Sequence, residues 1–351
     1  MAVFALMLQL PVLSMTFRLT YRRYRLAFRA PLRTAAGLWR EREGLILRVE
    51  DAAGRIGWGD AAPVPAFGLE TIDQVAVACA ALGETPDEGV IDRLGPGLAS
   101  LRQALAAAQS DLAGAPPLPA GRFLPVAALI PAGRAALPAI VPFAEAGFRT
   151  FKWKVGVGDL GDELGLLDDL CGALPSGGRL RLDANGAWDR RAAERWLERC
   201  ADRPIEFLEQ PVARDARGAD DLLQGLGADY PTPIALDESL VDAGDLDHWL
   251  DRDWPGIYIF KPALCADPVL ALARLAAAQA DVVFSSAIET AVGARSALRL
   301  AFGWTGPARA LGFGVWPAFA LPGFDGPAAA PFIRAEDVER MNPEAVWTAL
   351  N

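Results

Sequence analysis

The chain has 351 residues, 52% hydrophobic and 22% charged, which excludes disorder and collagen-like or disulfide-framework classes. That length allows either one barrel with an added unit or two ordinary domains. A formal net charge of -10 and a pI near 4.8 argue against nucleic acid, whose binding needs clustered Lys and Arg, and favour a small-molecule partner.

Residues 1–13 are apolar, but they lack a basic flank and are too short to span a bilayer. Neither a signal peptide nor a membrane anchor is expected, and Met15 is a candidate start that makes 1–14 a non-native leader. Residues 17–28 and 44–50 read as strands, with a hairpin turn over 51–54. Helical patterns follow over 71–82 and 100–112, and the Gly/Pro-rich stretch 113–121 marks a boundary. An α+β unit is therefore expected over 1–120. The four cysteines, Cys79, Cys171, Cys200 and Cys265, have no paired spacing, which speaks against a zinc site or disulfides and fits a reducing cytoplasm.

From residue 124 the texture changes to short apolar runs separated by amphipathic segments, the pattern of repeated βα units. Eight runs are expected: 125–130, 150–155, 179–183, 206–209, 234–237, 256–261, 282–285 and 310–313. They suit a (β/α)8 barrel over 121–315, with 316–351 packing back on the first unit. The competing architecture is a doubly wound open sheet. It calls for a third glycine, which Gly156-Val157-Gly158-Asp159 lacks at the required spacing.

Runs two to six end in charge: Lys152 and Lys154, then Asp183 with Asn185, then Glu209, then Asp237 with Glu238, then Lys261. Barrel active sites are built from strand C-terminal ends, so these groups are expected to converge. Alternation along a strand puts Lys152 with Lys154, and Asp183 with Asn185, on shared faces. Any one such end reads equally well as a surface salt bridge, but five in succession do not. Three converging carboxylates imply either raised pKa values or a bound cation. A hard ion such as Mg2+, or Mn2+, answers this, with Asp183, Glu209 and Asp237 giving one oxygen each and Glu238 competing with Asp237. The single histidine, His248, lies in a polar, solvent-facing helical segment. With the carboxylates on metal, lysines remain as acid and base, Lys152 tuning Lys154 and Lys261 facing them across the mouth.

In this order the strand ends resemble the enolase superfamily, and more closely its muconate-lactonizing subgroup, which carries Lys-x-Lys on the second barrel strand and lysine on the sixth. Within it, Thr150-Phe151-Lys152-Trp153-Lys154-Val155, Ala235-Leu236-Asp237-Glu238-Ser239 and the segment from Ser285 to Gly293 are similar to the o-succinylbenzoate synthase family. So are Arg42-Glu43-Gly44, Gly57-Trp58-Gly59-Asp60-Ala61-Ala62-Pro63 and the segment from Phe67 to Thr71 in the capping unit. Asp60 departs from the Glu usual there. The segment 311–316 lacks the Asp-x-Asp with which dipeptide epimerases hold a substrate ammonium.

The resemblance implies a Mg2+-dependent lyase of menaquinone biosynthesis. Lys154 would remove the proton α to the carboxylate of 2-succinyl-6-hydroxy-2,4-cyclohexadiene-1-carboxylate. Mg2+ and the Lys261 ammonium would hold the enediolate, and loss of hydroxyl would give 2-succinylbenzoate. The cap stretches 34–37 and 63–68 would cover the mouth. Thr34, Ser285 and Ser286 are candidate contacts for the distal carboxylate, though strand-end serines read equally as helix caps. Racemization of N-succinylamino acids and muconate lactonization share the lysines and metal and stay open. A Schiff-base aldolase would use the lysines and leave the acids idle.

Overall fold

The computed structural model describes residues 17–34, 37–67, 70–87, 89–328 and 330–350; the leader expected over 1–14 and the candidate start at Met15 lie outside them. Three antiparallel strands open the chain in the order β1 (Phe17–Thr34), β2 (Gly37–Asp51) and β3 (Ile56–Ala61). Side chains alternate as a half-buried sheet requires, Phe17 and Leu19 inward and Arg18 outward. From sequence the first strand ends at residue 28, but in the fold it runs on to Thr34. Pro31, which has no N–H to donate, falls inside the register shift between Ala27 and Leu32, where no ladder bond is required of it.

Two helices, α1 (Ile72–Ala81) and α2 (Val90–Arg93), precede α3 (Ala99–Leu112), which covers the sheet. A capping box starts α1, Gln74 N donating to Thr71 Oγ1 at 3.3 Å and Thr71 N donating to Gln74 Oε1 at 2.8 Å. The approach of α3 to β3 is close enough that a Cβ on Gly57 would lie 1.9 Å from Ala108 O, and one on Gly59 2.0 Å from Ala104 O.

The first apolar run of the second half splits. β4 (Phe123–Pro125) leaves the barrel and β5 (Ala128–Ile130) begins it. The parallel sheet continues through β6 (Thr150–Lys154), β7 (Arg179–Asp183), β8 (Ile205–Glu209), β9 (Ile234–Leu236), β10 (Ile257–Phe260) and β11 (Asp281–Phe284), each paired with the next. Between and after them come α4 (Ala136–Ala146), α5 (Leu160–Ala173), α6 (Arg190–Cys200), α7 (Ala219–Asp229), α8 (Ala243–Asp251), α9 (Pro268–Ala277) and α10 (Ala291–Gly303). The eighth run makes bridges but no ladder: Leu311 pairs with Val126 and Gly312 with Ser285, closing the curled sheet. The backbones run close here: a Cβ on Gly314 would lie 2.2 Å from Ala127 O. The architecture is a (β/α)8-type barrel, closed by bridges at its eighth position, with an α+β cap.

β12 (Phe332–Arg334) returns to pair antiparallel with β4, and α11 (Ala335–Glu339) and α12 (Pro343–Ala349) complete the chain. Trp347 of α12 meets the cap, with the Arg22 guanidinium 4.1 Å above its ring and Trp58 at 5.7 Å. At the strand N-termini, paired charge fills the barrel. Arg181 Nε donates to Glu206 at 2.7 Å, and Arg309 donates to Glu206 at 2.8 Å and to Asp281 at 2.6 Å. Among the described residues no helix is long and apolar enough to cross a membrane.

Candidate active site

Parallel register lines up the charged strand ends. Lys154 is opposite Asp183 and Asp183 opposite Glu209, while Glu209 is opposite Ala235, two residues before Asp237. A period of two then turns these side chains to one side of the barrel mouth. They border a cavity of about 490 Å³ whose lining includes Lys152, Lys154, Asp183, Asn185, Asp237, Glu238 and Lys261. Trp39, Val64 and Phe67 of the cap, with Leu129 and Ile288, are among the apolar residues of its wall. Glu209 is buried behind Lys152.

Asp183, Glu209 and Asp237 each meet a lysine ammonium. Lys152 Nζ lies 2.8 Å from Asp183 Oδ2 and 2.7 Å from Glu209 Oε1, and Lys261 Nζ contacts Asp237 Oδ1. The ammonium groups stand between the carboxylates, and among the described residues no three acids close into a single ligand cluster. Asn185 Nδ2 donates to Glu238 Oε1 at 3.0 Å, while Glu238 Oε2 is buried with no hydrogen-bond partner.

Charge crowding shows in the acid strengths. Burial, then the neighbouring Asp183, pushes Glu238 up to about 7, and the same two causes raise Glu209. Burial alone would lower Lys152, but Asp183 and Glu209 together outweigh it and hold the ammonium above its usual range. For Lys261 burial wins over the attraction of Glu209, bringing it down to about 8. The site therefore holds two amines driven in opposite directions by their surroundings.

Several residues that place this set were not singled out from sequence. Gln210, immediately after Glu209, is fully buried with φ 39. Its Oε1 accepts from Asp237 N at 3.1 Å and Ser239 N at 3.0 Å, and its Nε2 donates to Ser239 Oγ at 2.8 Å. It ties the end of β8 to the turn carrying Asp237 and Glu238. Asn185 and Ile288 also take left-handed φ, 44 and 58, so three strained backbone positions ring the mouth.

Glu289, fully buried, accepts from Ser286 Oγ at 2.9 Å and Ala287 N at 2.7 Å, and its Oε1 has no partner. Burial pushes it up to about 7. Ser286 Oγ also accepts from Ile288 N at 2.8 Å, so its hydroxyl is engaged within the protein, whereas the Ser285 hydroxyl lies 3.4 Å from Gly312 O. Both serines border the cavity. Thr34 ends β1, and its side chain lies outside the described residues. His248 is on α8, away from this lining, 2.9 Å from Asp220.

Asp60 joins cap to barrel, accepting from Tyr24 Oη at 2.9 Å, Thr290 N at 2.9 Å and Thr290 Oγ1 at 2.7 Å. Its carboxyl is raised by burial. Of the 34 Lys and Arg residues three are lysine, and all three border this cavity. That scarcity is a sequence signal that strand-by-strand inspection passes over.

Comparison with known proteins gives the family. The family profile described as Enolase C-terminal domain-like matches residues 139–310, and the one described as MenC, N-terminal domain matches 17–110. The o-succinylbenzoate synthase of Thermosynechococcus vestitus is 40% identical over 310 residues, spanning 85% of this chain and 92% of that one. The chain belongs to the o-succinylbenzoate synthase family. It is therefore an enzyme of the lyase class. The solved o-succinylbenzoate synthase from Thermosynechococcus elongatus, described as complexed with Mg in the active site, superimposes with a TM-score of 0.81 at 35% identity, covering 95% of this chain and 99% of that one. The L-Ala-D/L-Glu epimerase from Bacillus subtilis, at 21% identity and a TM-score of 0.77 over 92% of this chain and 96% of its own, shares the fold.

Proposed function

We propose that the chain dehydrates 2-succinyl-6-hydroxy-2,4-cyclohexadiene-1-carboxylate to 2-succinylbenzoate in the cytoplasm, with Lys154 as base and Lys261 opposite it. The observation that carries this is the meeting of every lysine of the chain in one cavity, interleaved with acids. Four free cysteines fit a reducing compartment.

The donor set fits Mg2+. Its acids offer only oxygen, Glu238 Oε2 is buried without a partner, and Glu209 and Glu238 are raised by burial and then by the neighbouring Asp183 carboxylate, a cost that a bound cation would relieve. Asp183, Glu209 and Asp237 are the proposed ligands, with Glu238 in reserve beside Asp237. When bound, the ion supplies fixed positive charge where the substrate carboxylate gains a second negative charge.

Lys154, as a neutral amine, takes the proton from the carbon beside that carboxylate. The C–H electron pair moves into the carboxylate, giving an enediolate whose charge the Lys261 ammonium faces. The pair then returns to complete the ring double bond as the C–O bond breaks, and hydroxide leaves as water with the proton that Lys154 gained. Lys152, held protonated by its two acids, keeps positive charge beside the base.

The test is turnover of that cyclohexadiene acid by the purified protein, run beside α-deuterium exchange of N-succinylamino acids in D2O. Dehydration with little exchange supports the reading; exchange without dehydration replaces it with racemization. Lys154→Ala and Lys261→Ala should each lower kcat about a thousandfold or more. Chelation should abolish activity and added Mg2+ restore it. Full activity in either variant, or after exhaustive chelation, would remove that role.

A further inference from the structure

Two cap residues meet the barrel at Lys261. The loop leaving β3 passes Ala62 and Pro63 and then turns, Phe67 N donating to Val64 O at 3.0 Å. That turn lays the Phe67 ring over the amine, with Lys261 Nζ 5.2 Å from the ring centroid. The ring packs with Val64 against Ala263, Leu264 and Ala287, on both sides of the lysine's own strand end. Arg42 fixes the root of this loop. Its fully buried guanidinium donates to the carbonyls of Ala62 and Pro63 and, at 3.0 Å, to Ile288 O on the barrel. It also lies 5.2 Å over Trp39, another residue of the cavity wall. A buried cation whose donors are committed to both sides of the seam cannot let the loop root drift without losing hydrogen bonds that water does not replace.

The Lys261 stem is four carbons long and its ammonium rotates, so one carboxylate contact does not define its direction. The ring gives a second contact: its face is negative and attracts an ammonium, and its apolar bulk excludes water. We propose that Phe67 is a positioning residue for Lys261, its ring holding the amine aimed into the cavity and dry, so that seating the cap loop and aligning the amine are one event. This rests on the role given to Lys261 above.

Phe67→Leu keeps apolar bulk and loses the ring face, whereas Phe67→Tyr keeps the face. Phe67→Leu should lower kcat about tenfold to thirtyfold with KM within about threefold, and Phe67→Tyr should stay within about threefold of the parent in both. A second readout needs no turnover. Because the chain has three lysines, slow reductive methylation with peptide mass spectrometry follows each one separately. Lys261 should react at least about threefold faster in Phe67→Leu than in the parent or Phe67→Tyr, with Lys152 unchanged. Unchanged Lys261 labelling in Phe67→Leu, or a Phe67→Tyr enzyme as slow as Phe67→Leu, overturns the proposal. If the parent chain does not dehydrate the cyclohexadiene acid, the functional reading fails by itself, and the labelling still decides the Phe67 contact.

Discussion

Glu289 shows how a single buried acid can leave a pH signature. It has three close neighbours that disfavour its charge or satisfy only half of it: an apolar surround, the Asp60 carboxylate, and donors on one oxygen alone. With its pKa raised to about 7, the folded chain holds a proton that the unfolded chain releases from about 4.3 upward. Stability present below about pH 4 is therefore lost as pH rises through about 7, by on the order of 3 kcal/mol. Glu289→Gln keeps an oxygen for the Ser286 and Ala287 donors and has no charge to bury. Urea unfolding should find it more stable than the parent near pH 8, by up to about 3 kcal/mol, and level with it near pH 4. A gap that does not change with pH would mean Glu289 is not the titrating group. At this scale the sequence speaks through residue type: the charged ends of runs two to six are visible as letters. Gln210 and Glu289 lie in or beside the quoted segments, yet nothing local says which backbone N–H groups their oxygens will meet.

Among elements, β3 illustrates what a pattern of small residues means. Gly57-Trp58-Gly59 alternates, and both glycines face α3 so closely that a side chain would overlap carbonyl oxygens. Neither backbone can withdraw without breaking the sheet or the helix. Gly59→Ala is expected to cost about 3 kcal/mol or more and to unseat α3, read as a lowered urea midpoint and new amide exchange in residues 99–112. Exchange there like the parent's would show that the helix tolerates the methyl group. Strand and helix order was legible from periodicity. Three element boundaries were not: residues 29–34 stay in β1 past Pro31, β2 starts at Gly37 and not at residue 44, and run one divides between β4 and β5. The deciding partner of β4 is remote, Ile333 for Leu124, whereas the end of β1 is set by its hairpin neighbour, Trp39 for Leu32.

For the molecule as a whole, the seam between cap and barrel is polar and buried. Asp60 and Arg42 on one side meet Thr290 and Ile288 on the other, and the loop carrying Phe67 departs from the same place. Thr290→Val removes the 2.7 Å hydroxyl donor to Asp60 and leaves that carboxylate short of a partner, at a cost of about 1–3 kcal/mol. The expected outcome is a lower unfolding midpoint together with faster amide exchange on both faces of the seam, around residues 60–63 and 287–292. Loss confined to one face would mean that the hydroxyl merely caps α10. From sequence, Asp60 is a departure from the family's Glu; in the fold it reaches both Tyr24 and the start of α10.

By itself the sequence determined the class of fold and the kinds of group at the strand ends. Periodicity is a local property and the side-chain alternation of a strand follows from it. Tertiary structure alone decided that Lys152 neutralises Asp183 and Glu209 while Lys261 meets Asp237, that Ser286 serves Glu289, and that run eight closes the barrel through bridges. Those outcomes depend on distances of a few ångströms across the barrel. They are set by strand register and by which charges that register brings into contact, and neither is written in any short stretch of chain.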